Sequence, residues 1–171
     1  MKLLGKKSIS TYLFHGIRTA AICCSILVLY IIISVAFDNY KIENGRYIIP
    51  FPLISYFDIK GVYKPTIFTA VILILLYISI FLYSLSLILK SFKSEVLFSS
   101  NSISNLNFFA VLNLLGFPIF YVVLRMVILK IPLLGGMHNF ILSMILGVFV
   151  LFVSAIFKRG LKVQNENDLT I

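Results

Sequence analysis

TIFTAVILILLYISIFLYSLSLIL, Thr66 to Leu89, contains no charged residue and is preceded by Pro65. An α-helix rises about 1.5 Å per residue, so roughly 20 such residues cross a hydrocarbon core of ~30 Å. The stretch therefore predicts a membrane-spanning helix. A proline suits its first turn, where the missing N–H has no intrahelical partner in any case.

Similar runs flank it. Towards the amino terminus, TAAICCSILVLYIIISVAF, Thr19 to Phe37, is also uncharged. Towards the carboxyl terminus, Leu106 to Leu124 carries Gly116 and Pro118, which membrane helices tolerate better than soluble ones. Asn139 to Phe157 is closed by Lys158 and Arg159. The composition agrees: 60% hydrophobic, 12% charged and a mean hydropathy of +1.05, against about 25% charged residues in soluble domains. The expected fold is an all-α integral membrane protein, a single four-helix membrane domain over residues 1–171. Its spans are 19–37, 66–89, 106–124 and 139–157, with a loop at 38–65 and a tail at 158–171. Four spans return both termini to one side.

Ser34-Val35-Ala36 resembles a signal-peptidase site. The apolar run ahead of it exceeds the usual ~7–15 residues and follows a long leader, so it reads as an uncleaved helix. The leader includes SISTYLFHGIR, Ser8 to Arg18, expected to lie along the inner interface with Tyr12, Leu13, Phe14 and Ile17 in the headgroup layer.

Orientation follows from the cations beside the spans. Lys2, Lys6, Lys7, Arg18, Lys90, Lys93, Lys158, Arg159 and Lys162 gather on the face of the termini, nine of the fifteen Lys and Arg residues. Lys41, Arg46, Lys60 and Lys64 on the other face share the long loop with Asp38, Glu43 and Asp58. Both termini are therefore expected on the cytoplasmic side of the membrane. The net charge of +9 sets topology and meets anionic headgroups of the lipid bilayer. It forms no dense basic stripe with interleaved aromatics, so direct binding of nucleic acid is not expected.

The loop DNYKIENGRYIIPFPLISYFDIKGVYKP, Asp38 to Pro65, has two readings. Asn44-Gly45 is a turn signal between Tyr40-Lys41-Ile42 and Tyr47-Ile48-Ile49, with Pro50 and Pro52 ending the second strand, which gives a small external hairpin or cap. Otherwise the loop packs on the outer helix ends without strands. On the cytoplasmic side, Ser99, Ser100 and Asn101 are good helix caps, and Ile103, Leu106, Phe109 and Ala110 follow at helical spacing. The third helix thus begins before the membrane does.

Two stretches together resemble a bacterial family, domain of unknown function 2975. The ending GLKVQNENDLTI is similar to that family's terminal signature, with Gly160, Gln164, Glu166, Asn167, Asp168, Leu169, Thr170 and Ile171 in place. Phe98, Ser99, Asn101, Ile103 and Leu106 resemble the start of its third helix. Asn105 and Asn107 stand where basic residues are often found, so a charge-mediated role there is not carried over. The resemblance implies a small four-span membrane protein without assigned activity. It also implies a regulatory partner, a small cytosolic helix-turn-helix protein of the Cro/C1 type.

Little else carries chemistry. Cys23 and Cys24 are adjacent, so they project in different directions, and they read as small hydrophobes. His15 and His138 fall on opposite faces of the membrane and cannot share a metal. No phosphate loop, His-Glu-x-x-His motif or paired intramembrane carboxylates occur. No enzyme activity, cofactor or metal is expected. Arg125, near the outer end of the third helix, either snorkels to the interface or pairs with Asp38 just after the first span. Asn113 is expected to hydrogen-bond between helices.

The tail is polar because it is cytoplasmic, yet Glu166, Asp168, Leu169 and Ile171 combine acids with apolar residues in a way that lipid retention does not require. They form a docking peptide or a solvated terminus. Two function classes follow. The first is a regulatory protein that docks a small cytosolic helix-turn-helix regulator; the second is a small-solute permease or efflux component, acting as a homo-oligomer.

Overall fold

The computed structural model describes residues 8–51, 58–93 and 97–168. Among them, four helices are long and apolar enough to cross a membrane. These are α1 (Ile9–Ala36), α2 (Pro65–Lys93), α3 (Ser100–Ile128) and α4 (Met137–Asp168). A three-stranded sheet lies between α1 and α2, formed by β1 (Lys41–Glu43), β2 (Arg46–Pro50) and β3 (Asp58–Val62).

The first helix begins ten residues earlier than its apolar run. Ser8–Arg18, expected along the interface, instead continues α1 from Ile9 without a break. The segment contains no proline, and it is held against α2: the Ser10 hydroxyl donates to the Phe92 carbonyl at 3.4 Å. The Arg18 guanidinium lies 4.0 Å from the centre of the Tyr83 ring and donates to Ser86 at 3.3 Å.

Lipid tails are as apolar as leucine, so helices in a bilayer gain little from hiding apolar surface and associate through close approach and hydrogen bonds. Serines do this here. Between α1 and α2, Ser25 and Ser79 share a hydrogen bond and Ser79 donates to the Ala21 carbonyl at 3.1 Å. Between α3 and α4 the contact face of α4 carries Ser143, Gly147 and Ser154. A Cβ on Gly147 would stand 2.6 Å from Leu114 and 3.2 Å from the Ala110 carbonyl, so only glycine lets these two backbones meet. Ser154 and the Asn107 side-chain oxygen hydrogen-bond at 2.6 Å.

Helix α3 departs from α geometry twice, at Leu112–Gly116 and Val123–Ile128, both π-helical. Pro118 accounts for the first. The Phe117 N–H reaches back five residues to the Leu112 carbonyl, and residue 118 has no N–H to offer. The Asn113 carbonyl is thereby left without a donor in its own helix. Ser143 of α4 supplies one, its hydroxyl lying 2.9 Å from that carbonyl and 3.2 Å from Asn113 Oδ1. Asn113 Nδ2 donates to the Phe109 carbonyl at 2.8 Å, and the residue is only 2% exposed.

The loop between α1 and α2 takes the hairpin reading and adds a strand to it. Glu43 pairs with Arg46 across a two-residue turn, and Asn44 and Gly45 have φ of 51° and 70°, the left-handed pair that a tight hairpin turn needs. Pro50 ends β2, as its missing N–H requires. β3 was not foreseen. It pairs antiparallel with β2, setting Tyr47 opposite Gly61, and the Tyr47 ring covers the space a side chain at Gly61 would fill. Tyr47 and Ile49 point the same way from β2 and bury themselves with Ile31 against the sheet-side ends of α1 and α2. Tyr30 of α1 hydrogen-bonds the Pro50 carbonyl.

A candidate interaction site at the terminal end of the bundle

The end of α2, the start of α3 and the last turns of α4 meet at the end of the bundle where α1 begins. Their shared core is aromatic. Phe157 of α4 packs on Phe92 of α2 at 5.9 Å between ring centres and on Phe98 at 5.3 Å. Ile88, Leu106, Phe109, Ala110 and Val150 continue this core into the bundle. The Ser99 hydroxyl accepts from the Ser102 N–H at 3.2 Å and caps α3, as its residue type suggested.

Gly160 completes the junction. A Cβ there would lie 2.7 Å from the Phe98 ring, so α4 passes over that ring only because residue 160 has no side chain. Glycine within a helix costs about 1 kcal/mol relative to alanine, which the close approach offsets. The two stretches that carry the family resemblance, Phe98–Leu106 and Gly160–Ile171, are thus joined in space by the contact of Phe98 with Gly160. Gly160, Leu161 and Gln164 are half-buried on the covered side of α4, whereas Lys158, Arg159, Lys162 and Glu166 are exposed.

Helix α4 is longer than a membrane crossing requires. The 32 residues of the helix measure about 48 Å at 1.5 Å per residue, against a hydrocarbon core of ~30 Å. The helix runs on past Phe157, where the expected span ends, to Asp168. Lysine, glutamine and glutamate there are good helix formers, and Lys162 and Glu166 approach to 3.7 Å at i,i+4 spacing. That pair is exposed and adds at most a few tenths of a kcal/mol. Lys93 adds a further cation at this end, 3.4 Å from His15 Nε2 and over the Phe14 ring at 5.0 Å.

The site residues read from the sequence fall in three places. Glu166 is on the exposed face of the α4 extension and Asp168 is its last helical residue, while Leu169 and Ile171 lie outside the described residues. Asn113 sits inside the bundle, and Arg125 and Asp38 are at the sheet end. The proposed pairing of Arg125 with Asp38 is not formed. Arg125 instead donates from Nε and Nη2 to the Pro132 carbonyl at 2.9 and 2.6 Å, across the loop that leads to α4. Tyr121 grips the same loop, its hydroxyl 2.7 Å from both the Leu133 and Gly135 carbonyls. Both Arg125 donors thus converge on the one Pro132 carbonyl, beside the π-helical turns at Val123–Ile128.

Sequence reasoning missed the meeting of Phe98 with Gly160 and the role of Ser143. A glycine inside a polar helical segment and the Ser143-x-x-x-Gly147 spacing were the available signals. Among the described residues no group of three or more His, Cys, Asp or Glu could hold a metal ion.

A family model described as Protein of unknown function (DUF2975) matches residues 36–171, which include both halves of the junction. No curated protein and no solved structure matches the chain.

Proposed function

This chain belongs to the DUF2975 family of proteins of unknown function, and from that premise we propose that it is a regulatory protein of the bacterial inner membrane. In this reading both termini are cytoplasmic and the terminal end of the bundle docks a small cytosolic helix-turn-helix regulator. The observation that carries the reading is the seating of α4 on Phe98 through Gly160. It supports a helical extension with one face covered and the other presented, which in this reading projects from the membrane. A solvated terminus needs no such fixture.

The presented face offers Lys158, Arg159 and Lys162 to headgroups, each worth about 1 kcal/mol near an anionic surface. Glu166 and Asp168 beyond them suit a basic partner surface, with Leu169 and Ile171 as apolar anchors. Photocrosslinking from position 165 in intact cells tests this. It should capture a small cytosolic DNA-binding protein, and deleting residues 166–171 should abolish the capture while leaving membrane insertion unchanged. Identical crosslinks with and without the tail would refute docking.

A small-solute permease or efflux component is the second reading. It rests on a cavity of about 340 Å³ among α2, α3 and α4 that reaches Asn113, Ser143 and Asn139. Substrate-dependent flux in proteoliposomes would favour it.

A further inference from the structure

At the sheet end, a cavity of about 210 Å³ lies between the sheet and the first turns of α2, walled by Val35, Tyr40, Tyr47, Tyr63, Lys64 and Phe68. Tyr40 and Tyr63 are stacked, with ring centres 6.3 Å apart, and form one aromatic wall. Tyr47 is only 5% exposed, and its hydroxyl has no hydrogen-bond partner among the described residues. That hydroxyl is open to the cavity and free to donate to a ligand oxygen placed there.

The charge of the cavity points the same way. Lys64 is the charged residue in the wall, and it pairs with no carboxylate among the described residues. It immediately precedes α2, which has no acidic residue in its first turn. The ammonium and the positive end of the helix dipole sit together and favour an anion, with the Asp38 carboxylate acting on the Tyr40 side of the cavity. Tyr63 beside Tyr40, and more weakly Asp38, raise the Tyr40 pKa, and burial raises that of Tyr47. Both phenols thus stay protonated at neutral pH, able to donate. The cavity lies beside the last turn of α1 and the first of α2, at the ends of two long apolar helices, where headgroups would sit around a spanning bundle.

We propose that this cavity binds a small amphipathic anion. Its apolar body lies against Tyr40, Tyr63 and Phe68; its carboxylate or phosphate meets Lys64 and accepts a hydrogen bond from Tyr47. A phospholipid headgroup and a soluble organic acid share this chemistry. The inference is independent of the docking role of the tail, from which it is separated by the full height of the bundle.

The test uses the full chain in phosphatidylcholine nanodiscs, titrated with phenylacetate and with phenyl phosphate by saturation-transfer NMR, with benzyl alcohol as the neutral control. Both acids should bind. Lys64→Gln should weaken them about tenfold, the loss of one charge-assisted contact, and Tyr47→Phe severalfold, with circular dichroism unchanged in both variants. Repeating the titration with phosphatidylglycerol in the discs assigns the source. Competition identifies the lipid headgroup as the occupant, and an unchanged affinity identifies a soluble acid. The proposal is overturned if neither acid binds, if the wild type and both variants bind alike, or if benzyl alcohol binds as tightly as phenylacetate.

Discussion

Replacing Ser143 by alanine tests the account of the π-helical turn in α3. The Ser143 hydroxyl donates to the Asn113 carbonyl at 2.9 Å, in place of the N–H that Pro118 lacks. Leaving a buried acceptor unsatisfied costs about 1–3 kcal/mol in soluble proteins. Hydrogen bonds between membrane helices average ~0.6 and reach ~1.7 kcal/mol. Alanine returns a few tenths through its better helix propensity. The expected net loss is therefore about 1 kcal/mol, read as reversible unfolding of the full chain in mixed micelles. The decisive measurement is the double-mutant cycle with Pro118→Ala. An N–H at residue 118 gives the Asn113 carbonyl a donor within its own helix, so Ser143→Ala should then cost almost nothing. Equal losses in the two backgrounds would refute the reasoning, because the serine would then be holding α3 to α4 for a reason unrelated to the proline.

Four further outcomes follow from the same structure. Gly160→Ala should destabilise the chain by about 1–3 kcal/mol, since its Cβ overpacks the Phe98 ring. Gly16→Ala, with nothing within 4 Å, should instead stabilise it by about 0.5–1 kcal/mol; the same thermal melts in detergent check both. Arg125→Gln should lower stability by about 1–2 kcal/mol through loss of the fork on the Pro132 carbonyl, whereas Asp38→Asn should be nearly silent and additive with it in the same unfolding assay. A reporter active only in the cytoplasm should work when fused after Ile171 and fail near Gly45, and the reverse pattern would reject the orientation proposed here.

Four uncharged runs of spanning length settled the architecture before any coordinates, because in a bilayer the backbone must satisfy itself and a helix is the local way to do so. The turn at Asn44-Gly45 was equally legible, since the two left-handed residues it needs are written in the sequence. β3 was not, because a strand of Asp-Ile-Lys-Gly-Val has little pattern of its own and exists through its pairing with β2. The full lengths of the helices were not legible for a related reason: hydropathy marks an apolar span, and α1 and α4 run past theirs on contacts with Phe92 and Phe98. Arg125 shows the limit most plainly. Its sequence position fixed the cost of holding a charge near hydrocarbon, and left solitary snorkelling and pairing with Asp38 as the two remedies. The tertiary structure brings the Pro132 carbonyl to the guanidinium, across the loop that follows the π-helical end of α3. Composition and period thus decide which segments are long and apolar enough to cross a membrane, since that is a property of each helix on its own. Which polar group answers which depends on how neighbouring helices approach, and that is a property of pairs of segments distant in sequence.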